Sequence, residues 1–242
     1  MAAPILKLAQ LSTKIFGVLS PEKITKDHLS PLIRAMNNIS SEDVYFDPKE
    51  IEERDAELQK LGEVAPVTYM HIHQDHNFTM AVFVVKAGSV LPLHDHPKMH
   101  GLLKVLYGKV RISSYTEVDQ KPLPENIARL QVSQSQKRSN SCIIKTVYRH
   151  NDIVLSETDE CCVLSPSVGN FHEIQPETKF AAFLDVLAPP YEGDCDSGCH
   201  YYKDLNPGKT SIGGTTWLKE IPQPSFYWCD TIKYKGPLLT CL

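Results

Sequence analysis

Histidine is the residue type through which this sequence is best equipped for chemistry, and two histidines lie close together at His94 and His96. On a β-strand, residues two apart project from the same face. Both imidazoles can then reach one ion, and neutral imidazole is a ligand for iron, zinc, copper and nickel alike. The pair therefore predicts a metal site but does not by itself choose the metal.

A third ligand is expected from a more distant part of the chain, and His172 is the best candidate. It follows a bend that contains Pro166 and Gly169, and the residues after it alternate in polarity as they would in a strand. His71 and His73 form a second pair with the same spacing and are the alternative. They are less favoured because they precede the strands expected to line the mouth of a barrel.

The other histidines have simpler interpretations. His28, His150 and His200 are interpreted as hydrogen-bonded groups of the core or the surface. His100 lies four residues after His96 and is a candidate neighbour of the metal ligands.

The elements that would position these histidines change character at Gly62. Residues 1–62 have helical patterns, and helix starts are expected at Ser20-Pro21 and Asp47-Pro48, because an N-cap side chain followed by proline favours a first turn. Residues 63–242 are rich in short β-branched and aromatic runs separated by turn residues. The predicted fold is mainly β: a jelly-roll barrel domain over 63–242, with the N-terminal helical segment 1–62 packed on it.

Two parts of the second region depart from this pattern. Residues 119–140 are polar and poor in apolar side chains, which predicts a long hairpin excursion. From Pro189 onwards, proline, glycine and aromatic residues follow one another without a period. That pattern predicts a C-terminal arm that wraps the barrel.

Composition limits the function classes. The chain has 242 residues and a formal net charge of −4, so no basic surplus indicates nucleic acid or a membrane surface. No apolar run reaches the roughly 20 residues needed to span a bilayer. Seven cysteines at irregular spacing, without a secretory signal, indicate free thiols in a reducing compartment, and we expect a cytoplasmic protein. Residues 1–20 contain lysine but no acid, as a mitochondrial presequence would, yet they lack arginine, so a surface helix is favoured.

The segments around the histidines resemble known motifs. Gly88-x5-His94-x-His96 and the later Gly169-x2-His172 are similar to the two cupin motifs. The cupin pattern expects a glutamate ligand seven residues before a closing glycine, and with Gly108 in that place the position holds Gly101. The second motif also departs, because it has Pro166-x2-Gly169 instead of Pro-x-Gly.

A longer run, His94-Asp-His96-Pro-Lys-Met-His100-Gly101, together with Tyr107-Gly108 and Ala188-Pro-Pro-Tyr191, closely resembles the cysteamine dioxygenases and the related plant cysteine oxidases. The likeness covers nearly the whole chain. It implies a cupin barrel with one Fe(II) per chain, held by His94, His96 and His172.

The resemblance also implies a reaction, the oxidation of a thiol by O₂ to a sulfinic acid. Cysteamine would give hypotaurine, and proteins that expose an N-terminal cysteine would be further substrates. Oxidation of such a cysteine permits arginylation and degradation, so the resemblance implies a role in oxygen sensing.

An all-histidine ligand set has a chemical consequence. Most mononuclear iron oxygenases use two histidines and one carboxylate. Replacing the carboxylate with imidazole removes a negative charge, so the iron can accept an anionic thiolate. Three coordination positions then stay open for sulfur, a substrate amine and O₂.

Four further residues are candidate site residues. Asp185 is a lone acid in an apolar segment, and such a group is costly unless it is paired. Its expected partner is a ligand imidazole or a substrate ammonium, and the alternative is a salt bridge at the barrel end. Tyr191 is expected either to donate its hydroxyl to bound oxygen or sulfur, or to pack the arm. By resemblance, Cys199 and Tyr201 match a pair that can form a thioether near the metal, although two unlinked side chains are the simpler interpretation and the one we favour.

Alternatives to a thiol dioxygenase stay open. One is a different three-histidine cupin enzyme, either a dione-cleaving dioxygenase or a zinc site that activates water. The other is a non-enzymatic cupin binding module, which the missing glutamate supports and the intact histidine set opposes. A zinc clip at Cys195, Cys199 and His200 is weakly indicated, because structural zinc takes four ligands. We expect a monomer, without nucleic-acid or membrane partners.

Overall fold

Three α-helices precede the β-structure in the computed structural model, which describes residues 3–118, 123–125, 127–129, 143–191, 198–207 and 213–239. They are α1 (Pro4–Phe16), α2 (Lys26–Asn37) and α3 (Pro48–Leu61). Asp47 caps α3, because its side chain accepts a hydrogen bond from the Lys49 backbone N–H at 2.9 Å. Gly62 ends α3 in the left-handed conformation, with φ of 73°, as glycine does at many helix ends.

The helix start expected at Ser20-Pro21 proves to be a single 3₁₀ turn, Pro21–Lys23. The longer helix α2 begins after Thr25, which forms a reciprocal cap with His28. The Thr25 hydroxyl accepts from the His28 backbone N–H at 3.4 Å, and the His28 ring accepts from the Thr25 backbone N–H at 3.1 Å. Ser20 makes no such side-chain bond, so it does not start a full helix.

The described part of the remaining chain forms thirteen β-strands. They are β1 (Val67–Gln74), β2 (Thr79–Lys86), β3 (Leu91–Asp95), β4 (His100–Tyr107), β5 (Lys109–Glu117), β6 (Ile144–Arg149), β7 (Ile153–Ser156), β8 (Cys162–Leu164), β9 (Phe171–Pro176), β10 (Phe180–Ala188), β11 (Tyr201–Asp204), β12 (Thr215–Ile221) and β13 (Cys229–Thr231).

These strands form two facing sheets. The first has the order β13-β1-β2-β10-β4-β8, and the second has the order β6-β12-β11-β3-β9-β5-β7. An additional pairing between β5 and β6 closes six strands of the second sheet into a ring. The result is the mainly β barrel with N-terminal helices that the sequence predicted.

Three apolar clusters hold these layers together. The helices pack on the outer face of the first sheet through buried residues such as Leu8, Leu32 and Val82. A second cluster, which includes Val105 and Phe183, fills the space between the sheets, and a third lies inside the strand ring. Burying one such side chain contributes about 1.5–3 kcal/mol, so the clusters fix the strands that carry the site.

Helix α1 belongs to the first of these clusters. Ile5, Leu8 and Ala9 have no exposed surface, and all three project from one face of the helix. Helix α1 therefore packs on the domain through this apolar face. Among the described residues, no helix combines the length and the apolar character needed to cross a bilayer.

The chain after Pro189 is more regular than the sequence suggested. Strands β11 and β12 join the second sheet, while β13 pairs in parallel with β1 at the edge of the first. These strands are short, at four, seven and three residues, so an alternating pattern is hard to recognise in them. Most of the predicted excursion over 119–140 lies outside the described residues, and β5 ends just before it at Glu117.

Candidate metal centre

Two antiparallel neighbours, β3 and β9, bring the predicted metal ligands together. His94 and His172 are direct partners in the β3–β9 register, and His96 follows one residue after the end of β3. The register shifts between Leu91 and His94, so side chains at the end of β3 point in a different direction from the one that a regular strand would give them. The three side chains are buried, with 6%, 1% and 7% of the surface of His94, His96 and His172 exposed.

The three imidazoles surround a common point. One ring nitrogen of each lies within 4.8 Å of the others, and Nε2 of His96 is 3.0 Å from Nε2 of His172. The ring centroids are 4.7 Å apart for His94–His96 and 4.8 Å apart for His96–His172. Among the described residues, this is the group of histidine, cysteine or acidic side chains that could hold a metal ion.

Hydrogen bonds on the far side of two rings fix which nitrogen faces that point. Nδ1 of His94 lies 2.8 Å from the Pro92 carbonyl oxygen, which can only accept, so Nδ1 carries the proton. The Tyr191 hydroxyl donates to the Asp95 carbonyl at 2.7 Å, so the 2.7 Å bond between Tyr191 and Nδ1 of His96 takes its proton from the ring. Both histidines therefore direct an Nε2 lone pair at the centre, as metal-binding histidines do.

This arrangement fits a bound cation. Burial lowers the pKa of His94, and it lowers the pKa of His96 and His172 to well below the ordinary value, with the neighbouring imidazoles adding to the effect. The facing ring nitrogens, 3.0 Å apart in His96 and His172, cannot all be paired by hydrogen bonds among neutral rings. A cation between the rings would accept the lone pair of each. The donor set suits Fe(II) and other first-row divalent metals.

Tyr191 makes two hydrogen bonds that the sequence did not predict. Its hydroxyl was predicted to donate to bound oxygen or sulfur, or else the side chain was to pack the arm. In the structure its hydroxyl donates to Asp95 and accepts from His96. Tyr191 is thus placed to orient a ligand ring, which is the position that metal-site support residues usually occupy.

Replacing Tyr191 with phenylalanine is expected to weaken metal affinity by about 10–100-fold, the usual cost of losing a group that orients a ligand. The ring would remain while the bond to His96 is lost. Titration against a chelator measures this affinity. Tyr69→Phe is a matched control, because Tyr69 lines the same cavity as Tyr191 without a hydrogen bond to a ligand histidine. Equal affinities in the two variants would contradict the orienting role.

Two polar residues that support the site were missed from the sequence. Asn170 bridges the two histidine segments: its Nδ2 donates to the carbonyl oxygens of His96 at 2.6 Å and Ser165 at 3.2 Å, and its Oδ1 accepts from the His96 N–H. The buried carboxylate of Asp95 accepts from the Tyr202 hydroxyl at 2.9 Å and from the His200 backbone N–H at 2.9 Å. An acid between two ligands, and an amide after Gly169, were the signals that could have revealed them.

The position of the missing glutamate is sterically closed. A β-carbon added at Gly101 would lie 2.9 Å from Cγ of Leu164 and 3.0 Å from Cδ2 of Leu187. Both leucines belong to strands that flank β4, at register partners of Gly101. Apolar side chains therefore occupy the space that a larger residue at position 101 would need.

A small cavity of about 190 Å³ has Tyr191, the hydrogen-bond partner of His96, in its wall. It is lined by Tyr69, Gln74, Thr79, Ala81, Phe83, Asp185, Leu187 and Tyr191. Seven of these positions lie on β1, β2 and β10 of the first sheet, so this sheet forms most of the cavity wall. Its lining is mostly apolar or aromatic, with one acid.

Asp185 is that acid, and it has no ion pair or side-chain hydrogen bond with another described residue. Burial raises its pKa to about 7, although a hydrogen bond from the Val186 backbone acts in the opposite direction. Nδ1 of His94 is already hydrogen-bonded to Pro92, and Nδ1 of His96 is already hydrogen-bonded to Tyr191. Neither ring is therefore the partner of Asp185. The salt bridge considered as an alternative does not occur within the described chain, and the carboxylate faces the cavity.

Cys199 and Tyr201 are also next to the site. The Cys199 sulfur is hydrogen-bonded to the hydroxyls of Tyr191 and Tyr201, and burial raises the pKa of Cys199 to about 11. The thiol is therefore protonated at neutral pH. Tyr201 is held by its backbone, which pairs with His94 in the β11–β3 register. Cys195, the third member of the suggested zinc clip, lies outside the described residues.

The competing histidines are not part of the centre. A register shift separates His71 from His73 in β1, and His73 instead approaches Asp75, at 3.5 Å. His100 projects from β4 towards the helical layer, where its Nε2 lies 2.9 Å from the Pro21 carbonyl. The prediction that His100 neighbours the ligands was therefore wrong, and the choice of His172 over the earlier pair agrees with the structure.

Comparison with known proteins gives consistent matches. The family model described as PCO_ADO matches residues 35–239. The 2-aminoethanethiol dioxygenase of Homo sapiens is 37% identical over 224 residues, which cover 87% of this chain and 81% of that protein. The Mus musculus protein of the same name is 34% identical, with 98% and 96% covered. Plant cysteine oxidase 2 of Arabidopsis thaliana is 27% identical, with 99% and 84% covered.

Proposed function

This chain belongs to the PCO_ADO family, and from that premise we propose that it is an Fe(II)-dependent thiol dioxygenase for substrates with a 2-aminoethanethiol unit. Cysteamine would be converted to hypotaurine, and an N-terminal cysteine of a peptide or protein would be converted to cysteine sulfinic acid. The observation that carries the proposal is the combination of three neutral imidazoles with a buried carboxylate, Asp185, that has no ion pair among the described residues and lines a cavity together with Tyr191.

The neutral histidines and the acidic Asp185 would have different roles in the proposed reaction. His94, His96 and His172 would hold one Fe(II), which supplies the binding of thiolate and O₂ and the electrons for their reaction. Asp185 supplies the negative charge that the ligand set lacks, and a substrate ammonium would be its partner. Tyr191 keeps the His96 ring in the tautomer that presents Nε2.

The same recognition serves both substrates. In cysteamine and in an N-terminal cysteine, the ammonium and the thiol are separated by two carbons. The aromatic and aliphatic lining can exclude water from the reacting groups, which strengthens the attraction between Asp185 and the ammonium. The mouth of the cavity must stay open if the rest of a peptide is to extend away from it.

The wider role follows from the substrate. Oxidation of an N-terminal cysteine that permits arginylation and degradation would make protein lifetime depend on O₂. The proposal places this activity in the cytoplasm. It also assigns the activity to a monomer, because one chain carries all three ligands and the cavity. Neither nucleic acid nor a membrane is part of the proposed reaction.

The proposal is tested by loading the protein with Fe(II) without oxygen, adding a peptide that begins with cysteine, and then admitting O₂. Mass spectrometry is expected to show both oxygen atoms of O₂ on the peptide sulfur. The same protein loaded with zinc is the control. Oxidation that does not depend on iron, or hydrolytic activity with zinc, would support the other three-histidine enzymes instead.

An acetylated N-terminus provides a sharper test of the ammonium role. Acetylation removes the positive charge while leaving the thiol intact, so the attraction to Asp185 is lost. We expect no sulfinic acid from the acetylated peptide under conditions that oxidise the free peptide completely. Equal oxidation of the two peptides would exclude recognition of the amine.

The missing carboxylate can be tested at Gly101. Glutamate and glutamine both collide with Leu164 and Leu187, so both are expected to destabilise the fold by similar amounts. Only Gly101→Glu adds a negative charge near the metal, and it should weaken apparent thiol affinity more than it weakens iron binding. The difference from Gly101→Gln isolates the charge effect, and identical thiol affinities would contradict it.

A further inference from the structure

Five oxidisable side chains touch one another in a row that starts at the metal centre. We call Tyr191, Cys199, Tyr201, Tyr227 and Cys229 the tyrosine–cysteine chain. Its inner half begins where the Tyr191 hydroxyl contacts Nδ1 of His96 at 2.7 Å. The sulfur of Cys199 is hydrogen-bonded to the hydroxyls of both Tyr191 and Tyr201.

The outer half continues from Tyr201 to the surface. The hydroxyls of Tyr201 and Tyr227 are hydrogen-bonded, and their ring centroids are 5.8 Å apart. The thiol of Cys229 donates to the Tyr227 hydroxyl oxygen at 3.4 Å. Cys229 is exposed at the start of the edge strand β13, so the row ends in solvent.

The protonation of this row suits hydrogen-atom transfer. Burial raises the pKa of Cys199, Tyr201, Tyr227 and Cys229, so each group keeps its proton at neutral pH. A protonated thiol is a poor nucleophile towards peroxide. Direct two-electron oxidation of Cys229 is therefore disfavoured despite its exposure, while a neighbouring radical could still take its hydrogen atom.

We propose that the tyrosine–cysteine chain carries oxidising equivalents from the three-histidine centre to Cys229, which is the site where they are released. This proposal rests on one part of the proposed function, which is that O₂ is reduced at the three-histidine centre. Its benefit is protection, because an oxidant formed without a thiol in place would otherwise attack His96 or Asp185. The tyrosine–cysteine chain can reduce this oxidant by a series of electron transfers that ends at the protein surface.

In the first step the O–H bond of Tyr191 would break, and its electron and proton would pass to an oxygen-centred radical produced when iron reduces hydrogen peroxide, so that this radical becomes water. Each later step moves one electron and one proton between neighbours, from Cys199 to Tyr191, from Tyr201 to Cys199 and from Tyr227 to Tyr201. The last step breaks the S–H bond of Cys229 and forms the O–H bond of Tyr227, so a Tyr227 phenoxyl radical becomes phenol and Cys229 becomes a thiyl radical. The thiyl radical and the thiolate of a small thiol form an S–S bond. The resulting radical anion passes its extra electron to O₂, which leaves a mixed disulfide on Cys229 and superoxide.

The test uses the whole chain loaded with Fe(II) and treated with hydrogen peroxide and a nitrone spin trap, without any thiol. Peptide mass spectrometry then locates the trapped radicals. We expect an adduct on Cys229 in the unaltered protein and none above background in zinc-loaded protein. In Tyr227→Phe, which keeps the ring but loses the hydroxyl, the adduct on Cys229 should fall to the zinc background and adducts on Tyr201 should increase.

Tyr45→Phe is the matched control, since Tyr45 is a partly exposed tyrosine that packs against Tyr234 and is not part of the chain. It should leave the Cys229 adduct unchanged, and thermal melting checks that both variants are folded. An undiminished Cys229 adduct in Tyr227→Phe, or no Cys229 adduct in the iron-loaded protein, would overturn the proposal. Thiol-dependent O₂ uptake by the same preparation reports separately on the proposed function.

Discussion

Alanine in place of His94, His96 or His172 is expected to abolish iron retention and thiol oxidation, and each single variant should be as inactive as the triple variant. Three neutral ligands leave no redundancy, and no fourth histidine, cysteine or acid joins the group among the described residues. Iron per chain after gel filtration and thiol-dependent O₂ uptake measure the two losses. Full iron occupancy in His172→Ala would show that the third ligand is a different residue.

Stability provides an independent measurement of the same effect. A metal that binds only the folded state stabilises it by about 2.7 kcal/mol at 100 times its Kd. The unaltered protein should therefore melt at a higher temperature when iron is added without oxygen, and the three variants should show no such increase. The variants are expected to remain folded without metal. In the metal-free protein each imidazole only crowds two other neutral imidazoles, so its removal breaks no stabilising contact among them. The His71→Ala/His73→Ala double variant is the matched control and should behave like the unaltered protein.

Asp185→Asn is expected to retain iron and to lose kcat/KM by about 10–100-fold, which corresponds to the roughly 1.5–3 kcal/mol that a hydrogen bond between charged groups contributes. The amide keeps the shape of the side chain but cannot attract an ammonium as a carboxylate does. Since no ligand imidazole depends on Asp185, the loss should include a raised KM, with iron affinity unchanged. Thr79→Val, which alters another residue of the same cavity without changing charge, is the control. Normal turnover and normal KM in Asp185→Asn would remove Asp185 from the site.

The pH dependence follows from the raised pKa of Asp185, about 7. Above that pH the carboxylate is charged while the aliphatic amine of cysteamine is still protonated, since such amines have a pKa of about 10. With cysteamine as the substrate, their attraction should therefore strengthen from pH 6 to pH 8. Apparent KM should fall over this range in the unaltered protein. In Asp185→Asn this component should disappear, and any remaining change would report the substrate thiol.

The same shift predicts an effect on folding. A carboxyl whose pKa is raised from about 3.9 in the unfolded chain destabilises the folded state wherever the unfolded group would be charged. The cost begins as pH rises above the unfolded pKa and is complete above the folded pKa near 7. Asp185→Asn should therefore melt at a higher temperature than the unaltered protein at pH 8, and the difference should shrink towards pH 4. A site residue that costs stability is typical of function.

Several features were determined by the sequence alone. The spacing of His94 and His96 predicts a shared face because strand geometry is local, and the change in residue type at Gly62 separates helices from strands for the same reason. The bend before His172 and the alternation after it made this residue the best candidate for the third ligand, and the family resemblance along the run from His94 to Gly101 indicated the class of reaction. The lone acid Asp185 was also visible, because burying an unpaired charge is costly in any fold.

Other features were decided only by the tertiary structure. Tyr191 orients His96, and Asn170 ties the two histidine segments together, through contacts between residues far apart in the chain. The partner of Asp185 could not be chosen until the far sides of the His94 and His96 rings were known to be hydrogen-bonded to other residues. The reason is physical: a strand fixes the direction of a side chain from its own sequence, but the packing of β3, β9 and β10 decides what that side chain meets.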